Sequence, residues 1–151
     1  MKHSYVLAGL LFAVVCTPSA ALEGRIWKSP TCGCCKSWVT YMQQNGFELS
    51  VTEANPRELD AIKSQSGIPK AAASCHTAKI GGYAIEGHVP ASAVTQLLQE
   101  KPDAIGLAVP GMPANSPGME TDRPGEAYDV LLVNKDGSTR VFLHVPATPA
   151  R

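Results

Sequence analysis

The chain has 151 residues, with 13 Lys and Arg against 13 Asp and Glu, so its formal net charge is zero. That balance argues against a polyanion-binding surface as its main role, because nucleic-acid binders carry a basic excess. Hydrophobic residues make up 44 %, enough for a real core, and the length suits one domain rather than two.

Residues 1–21 read as a secretory signal peptide. Lys2 supplies the positive start, residues 6–16 form an uncharged and mostly apolar run, and Ser19-Ala20-Ala21 offers small residues for cleavage. The run is too short to span a bilayer. An uncleaved anchor and a lipidated Cys16 are the alternatives. Cleavage removes Cys16 and Lys2, leaving Cys32, Cys34, Cys35 and Cys75 and a net charge of −1. The mature part, residues 22–151, is therefore expected in an oxidising compartment, which is the periplasm if the source is a Gram-negative bacterium, with no membrane attachment and no nucleic-acid partner.

Residues 24–28 suit a short strand, broken by Ser29-Pro30-Thr31. A helix is expected over 36–45, where Trp38, Val39 and Met42 share a face and Gly46 stands at the C-terminal cap. Phe47, Leu49 and Val51 alternate as in a strand. Asn55-Pro56 opens a second helix that Gly67 ends. Residues 71–77 are expected as a small-residue strand, and 83–89 as its return after the Gly81-Gly82 turn. Pro90 opens a third helix with Val94, Leu97 and Leu98. This order predicts an α/β thioredoxin-like sandwich with a small mixed sheet.

Residues 102–125 hold five prolines and four glycines and are expected to form a Pro/Gly-rich loop. Residues 126–146 follow as an appended C-terminal β-hairpin turning at Asn134-Lys135-Asp136-Gly137. A lone hairpin is marginal in water, so it should pack on the same core.

The chemistry concentrates in Thr31-Cys32-Gly33-Cys34-Cys35-Lys36, between the first strand and the first helix. A helix N-terminus presents unpaired N–H groups and a partial positive charge, which favour thiolate. Cys32 and Cys35 have the C-x-x-C spacing of thiol–disulfide oxidoreductases. Cys34 offers a competing thiol inside that motif, which suits a soft-metal site better than a dedicated disulfide exchanger. Cys75 would face the triplet from the strand after Ile68-Pro69, with His76 or His88 as nitrogen donor. Two structural disulfides, Cys32–Cys35 and Cys34–Cys75, are the plain alternative, although three cysteines in four positions close almost no loop.

Met112 and Met119 recur in Pro-Gly-Met units within the loop, and thioether suits Cu(I) far better than zinc. His144, on the hairpin, has no evident partner in chemistry. No Ser-His-Asp set, phosphate-binding glycine loop or H-E-x-x-H motif is present, and the acidic residues are scattered.

Cys32-Gly33-Cys34-Cys35, Ser74-Cys75-His76-Thr77, Glu86-Gly87-His88-Val89-Pro90, Pro110-Gly111-Met112-Pro113 and Ser116-Pro117-Gly118-Met119-Glu120 occur in order. Together they resemble the CopG-type family of small exported proteins associated with bacterial copper resistance. The resemblance spans residues 25–120. It implies a thioredoxin-like fold, a periplasmic location and copper bridged by cysteine thiolates, a multinuclear cluster being one arrangement. It also implies interconversion of Cu(I) and Cu(II), and places the family's thiols at Cys32, Cys34, Cys35 and Cys75. His88, Met112 and Met119 fall on its other blocks. Copper ions and other periplasmic copper-handling proteins are the expected partners. The alternative is an enzyme, a periplasmic thiol–disulfide oxidoreductase using Cys32 as nucleophile and Cys35 as resolving thiol.

Overall fold

The structure is a computed structural model that describes residues 21–149. The expected signal segment, save Ala21, lies outside the described residues. The elements in chain order are β1 (Leu22–Lys28), α1 (Gly33–Gln44), β2 (Phe47–Glu53), α2 (Pro56–Gln65), a 3-10 turn (Lys70–Ala72), β3 (His76–Ile80), β4 (Tyr83–Glu86), α3 (Ala91–Glu100), β5 (Ala104–Ala108), β6 (Tyr128–Asn134) and β7 (Thr139–Val145).

All seven strands join one mixed sheet in the order β2-β1-β3-β4-β5-β6-β7. β1 pairs with β2 and β4 with β5 in parallel; every other neighbouring pair is antiparallel. Helices α1 and α3 cover one face. Trp38, Val39 and Met42 from α1, with Val94 and Leu97 from α3, pack on Ile26, Phe47, Leu49, Ala78, Ile80, Ile85 and Leu107. The hairpin joins the same core through Val130 and Leu132, as a lone hairpin would need to. On the opposite face Ile68, Ala72, Ala84, Ala108 and Val133 form a smaller cluster.

Local signals set the helix ends. Asn55 caps α2 with its side chain accepting from the Glu58 N–H, while Glu58 accepts from the Asn55 N–H and Pro56 takes the first turn. Gly46 follows the α1 C-cap at φ +85°.

Three expectations need correction. The stretch 102–125 is not loop throughout, because residues 104–108 form β5, a full member of the sheet. Its glycine is part of the reason: a Cβ at Gly106 would collide with the Ala84 carbonyl across the β4 pairing. A glycine that reads as loop punctuation thus serves close strand approach. Residues 71–77 are not one strand either. Lys70–Ala72 coils into a 3-10 turn, and β3 begins only at His76. The return strand is likewise short, β4 ending at Glu86 rather than running to 89.

Candidate metal centre

The register of the sheet gathers the chemistry at one edge. Lys28 at the end of β1 pairs with His76 at the start of the antiparallel β3, and Thr77 pairs with Glu86 at the end of β4. The turn into α1, the segment before β3 and the segment after β4 therefore meet. They carry Cys32, Cys34 and Cys35, then Cys75 and His76, then His88.

On the α1 side, Cys32 is the helix N-cap, and its sulfur accepts from the Cys35 N–H at 3.3 Å. Sulfur thus takes the place of the usual cap oxygen at the positive end of the helix. Cys32 and Cys35 are joined as a disulfide, while Cys34 and Cys75 are free thiols. The two-bridge alternative does not occur. Cys34 Sγ lies 3.4 Å from Cys32 Sγ. The four sulfurs all fall within 4.8 Å of one another.

On the β3–β4 side, Cys75 Sγ is 3.3 Å from His76 Nδ1 and 3.1 Å from His88 Nε2, a second group of donors that shares Cys75 with the first. The Nδ1–H of His88 donates to the Pro117 carbonyl at 2.8 Å. That bond fixes the neutral tautomer and leaves the Nε2 lone pair facing Cys75, the arrangement found at metal-bound histidines. His76 is fully buried, and its Nε2 has no hydrogen-bond partner among the described residues. A buried polar atom without a partner is costly, and the nitrogen that faces Cys75 is Nδ1. His76 also packs on Trp38, ring centroids 4.6 Å apart, and edge-on to His88 at 5.2 Å.

Burial dominates the electrostatics. It drives the His76 pKa well below its ordinary value, with His88 and Lys63 adding repulsion. It also lowers that of His88, against the pull of the Pro117 carbonyl. Both imidazoles are held as neutral lone-pair donors. Burial, reinforced by Cys34, pushes the Cys75 thiol up to about 11. Such a thiol keeps its proton at neutral pH until a cation compensates the thiolate.

The segment after β5 forms a strap over the site. Gly118, at φ +83°, seats against the start of α1, where an added Cβ would stand 2.6 Å from the Trp38 nitrogen and 2.9 Å from the Cys34 carbonyl. This contact holds the Pro117 carbonyl over His88. Met119 is half-buried in the strap, its main chain bonded to Asn115 and Ser116. Met112 is 53 % exposed. It lines a groove of about 320 Å³ with Asp60, Lys63, Ala73, Ser74, Cys75 and Gly111. His144 lies on the hairpin and pairs with Asp129 at 2.7 Å, away from this edge. A larger cavity of about 650 Å³ sits beside Leu22, Ile80, Tyr83, Leu98 and Lys101, and no cysteine or histidine lines it.

The structure thus brings Cys32, Cys34, Cys35, Cys75 and His88 to one place and sets Met112 in the groove beside Cys75. It adds His76, weighed in the sequence only as an alternative to His88. It also adds the Pro117 carbonyl, which no side-chain pattern could announce.

A family model described as "Protein of unknown function, DUF411" matches residues 72–119, which include Cys75, His88 and both methionines of the strap. Two solved structures are similar along most of the chain. "Copper resistance protein copG- Form 1" is 38 % identical with a TM-score of 0.78, covering 83 % of this chain and 98 % of its own. "Copper resistance protein copG- Form 2" is 38 % identical with a TM-score of 0.77, covering 83 % and 99 %. No curated protein matches the chain.

Proposed function

Because the chain belongs to the family of the copper resistance protein CopG, we propose that it is an exported copper-binding protein that holds the metal on the thiolates of Cys32, Cys34, Cys35 and Cys75. The observation that carries the reading is the approach of Cys75, far away in sequence, to the three turn sulfurs within 4.8 Å. Sulfur donors select soft ions, and Cu(I) is the soft ion that a copper resistance relative makes relevant. His88 supplies a neutral imidazole, Met112 and Met119 complete or cover the site, and a shared thiolate such as Cys75 allows more than one ion.

Bound copper would supply one-electron chemistry, and the mixed sulfur and nitrogen donors suit both Cu(I) and Cu(II). Interconversion of the two states in copper resistance is the activity this reading assigns. The protein's own part is to present sulfurs at a helix N-terminus, keep both imidazoles unprotonated and cover Cys75 with the strap. With the Cys32–Cys35 bond in place, Cys34, Cys75, His76 and His88 remain as donors. Two-electron reduction of that bond by an external thiol would add two more.

Residues 1–21 serve as the signal peptide in this reading, and residues 22–151 as one periplasmic metal-binding domain. A thioredoxin-like core is supported by the run β2-β1-β3-β4, with β1 and β2 parallel and β3 and β4 antiparallel, flanked by α1 and α3 on one side and α2 on the other. β5, β6 and β7 extend it.

The test is metal content. Residues 22–151, expressed with copper and purified without oxygen, should retain copper, and Cys75→Ser should lose most of it. A protein that stays metal-free with all thiols reduced would remove the reading. The thiol–disulfide oxidoreductase remains the second reading, favoured by the Cys32–Cys35 bond at the helix N-terminus. Insulin reduction that survives both Cys34→Ser and Cys75→Ser would support it.

A further inference from the structure

Directly behind Cys75 lies a buried ion pair that contributes no atom to either group of donors. Lys63, near the end of α2, places its Nζ 2.6 Å from Glu86 Oε1 and 3.2 Å from Thr77 Oγ1. The Glu86 side chain is 0 % exposed and that of Lys63 11 %. Glu86 Oε1 also accepts the Ser74 N–H at 2.6 Å, and Oε2 accepts the Thr77 hydroxyl at 2.6 Å.

These bonds reach both arms of the Cys75–His88 pair. Ser74 immediately precedes Cys75, so the carboxylate is bonded to the segment that carries the sulfur. Glu86 is two residues from His88. Its own carbonyl accepts from Val109, and the next residue, Gly87, donates to the His76 carbonyl, each at 3.0 Å. One side chain thus ties the Cys75 arm to the main chain of the His88 arm. The hydroxyl of Ser74 in turn donates to the Gly111 carbonyl at the root of the strap.

Stability alone is a poor reason for such a pair. Desolvation of two charges offsets most of their attraction, and shape-matched apolar replacements are often neutral or better. Taking away one partner is what destabilises. The neighbouring core shows what an apolar solution looks like, since Ala84, one register step along the same face of β4, packs with Ile68 and Ala108.

We propose that Lys63 and Glu86 are positioning residues for Cys75, their ion pair setting the 3.1 Å approach of its sulfur to His88 Nε2. The proposal deepens the copper reading and rests on it for its purpose, but the positioning itself can be measured without metal.

The experiment uses residues 22–151 carrying Cys34→Ser with the Cys32–Cys35 bond intact, so that Cys75 is the free thiol. Its rate of reaction with a chromogenic disulfide reports how firmly Cys75 is held. Lys63→Met combined with Glu86→Leu removes both charges and keeps the bulk. The doubly substituted protein should fold, with its melting temperature lowered by no more than the loss of the Ser74 and Thr77 bonds to the carboxylate explains, yet label several-fold faster. Lys63→Arg, which keeps the charge and its hydrogen bonds, should stay near the parent rate. With Cys34 restored and all thiols reduced, the double substitution should weaken Cu(I) binding by about 10- to 100-fold in competition with a chelator, as loss of an outer partner does. A folded double variant with the parent labelling rate overturns the proposal. If the double variant does not fold, Thr77→Val decides, because it deletes one bond to the carboxylate; faster labelling supports positioning and an unchanged rate sinks it. A parent protein that takes up no copper would remove the copper reading while the labelling comparison still stands.

Discussion

The two sides of the sulfur cluster are built by different means. The α1 side places three cysteines within four residues at a helix cap, where spacing and the helix terminus do the work and Cys32 and Cys35 close on each other. The β3–β4 side draws Cys75, His76 and His88 from either side of a hairpin and buries both imidazoles completely. There the geometry depends on long-range packing: Trp38 against His76, Pro117 against His88 and Glu86 against Ser74. The first side is close to self-sufficient in sequence. The second exists only when the whole sheet is assembled, so perturbations far from any donor should disturb it selectively.

The largest such effect is expected from Trp38→Ala. Trp38 is fully buried, donates its indole N–H to the Val89 carbonyl at 3.0 Å and packs on His76. Truncation leaves a cavity between the two sides and an unpaired carbonyl, and should cost about 3–5 kcal/mol of folding stability. Denaturant unfolding of the metal-free protein measures it. A loss confined to a few tenths would mean that the two sides are not coupled through this ring.

Gly118→Ala sharpens the comparison at smaller cost. At φ +83°, with a new Cβ 2.6 Å from the Trp38 nitrogen, alanine cannot seat the strap. His88 then loses the carbonyl that fixes its tautomer. Cu(I) affinity should fall by about 10-fold, while the Cys32–Cys35 bond forms as before. Chelator competition and thiol counting separate the two outcomes. Equal loss on both sides would show that the strap supports the α1 turn as much as the histidine.

How much of this was legible in the sequence follows the same division. The Asn55-Pro56 helix start and the Asn134 to Gly137 turn are local patterns that appear where their chemistry predicts, whereas α1 starts at Gly33 rather than 36 and takes Cys34 and Cys35 into its first turn. β5 is hidden because Pro and Gly look like loop punctuation, whereas Gly106 is demanded by Ala84 on a neighbouring strand, 22 residues away. The extended reading of residues 71–77 failed on the 3-10 turn at Lys70–Ala72, a three-residue element too short for any periodicity to reveal. Lys63 left one readable trace. It lies four residues after Leu59 on the buried stripe of α2, an ionisable group where an apolar one is expected. Glu86 left a weaker one, sharing a sheet face with Ala84. Neither trace names its partner, because pairing across 23 residues is a property of the fold.

The smallest effect is set by pH, and it too falls on one side only. Unfolded, His76 titrates near its ordinary value of 6.5; folded, burial holds it well below that, with His88 and Lys63 opposing the proton further. In the window between these values the unfolded chain binds a proton that the native protein does not. Stability therefore rises with pH through the window and is lost as pH falls below 6.5. The slope from His76 is at most about 1.4 kcal/mol per pH unit. His88 shifts in the same direction and steepens the slope. The bonded Cys32 and Cys35 on the α1 side do not titrate and add nothing. Unfolding of metal-free protein measured from about pH 5 to about 8 should show this acid limb. His76→Gln should flatten it by the share of one proton. Burial raises the Glu86 carboxyl, which works against this slope, so the test is the difference: a His76→Gln curve with the same slope as the parent would mean that water or a proton reaches His76 in the native state. The contrast between a solvent-tolerant sulfur turn and a desolvated imidazole pair would then no longer hold.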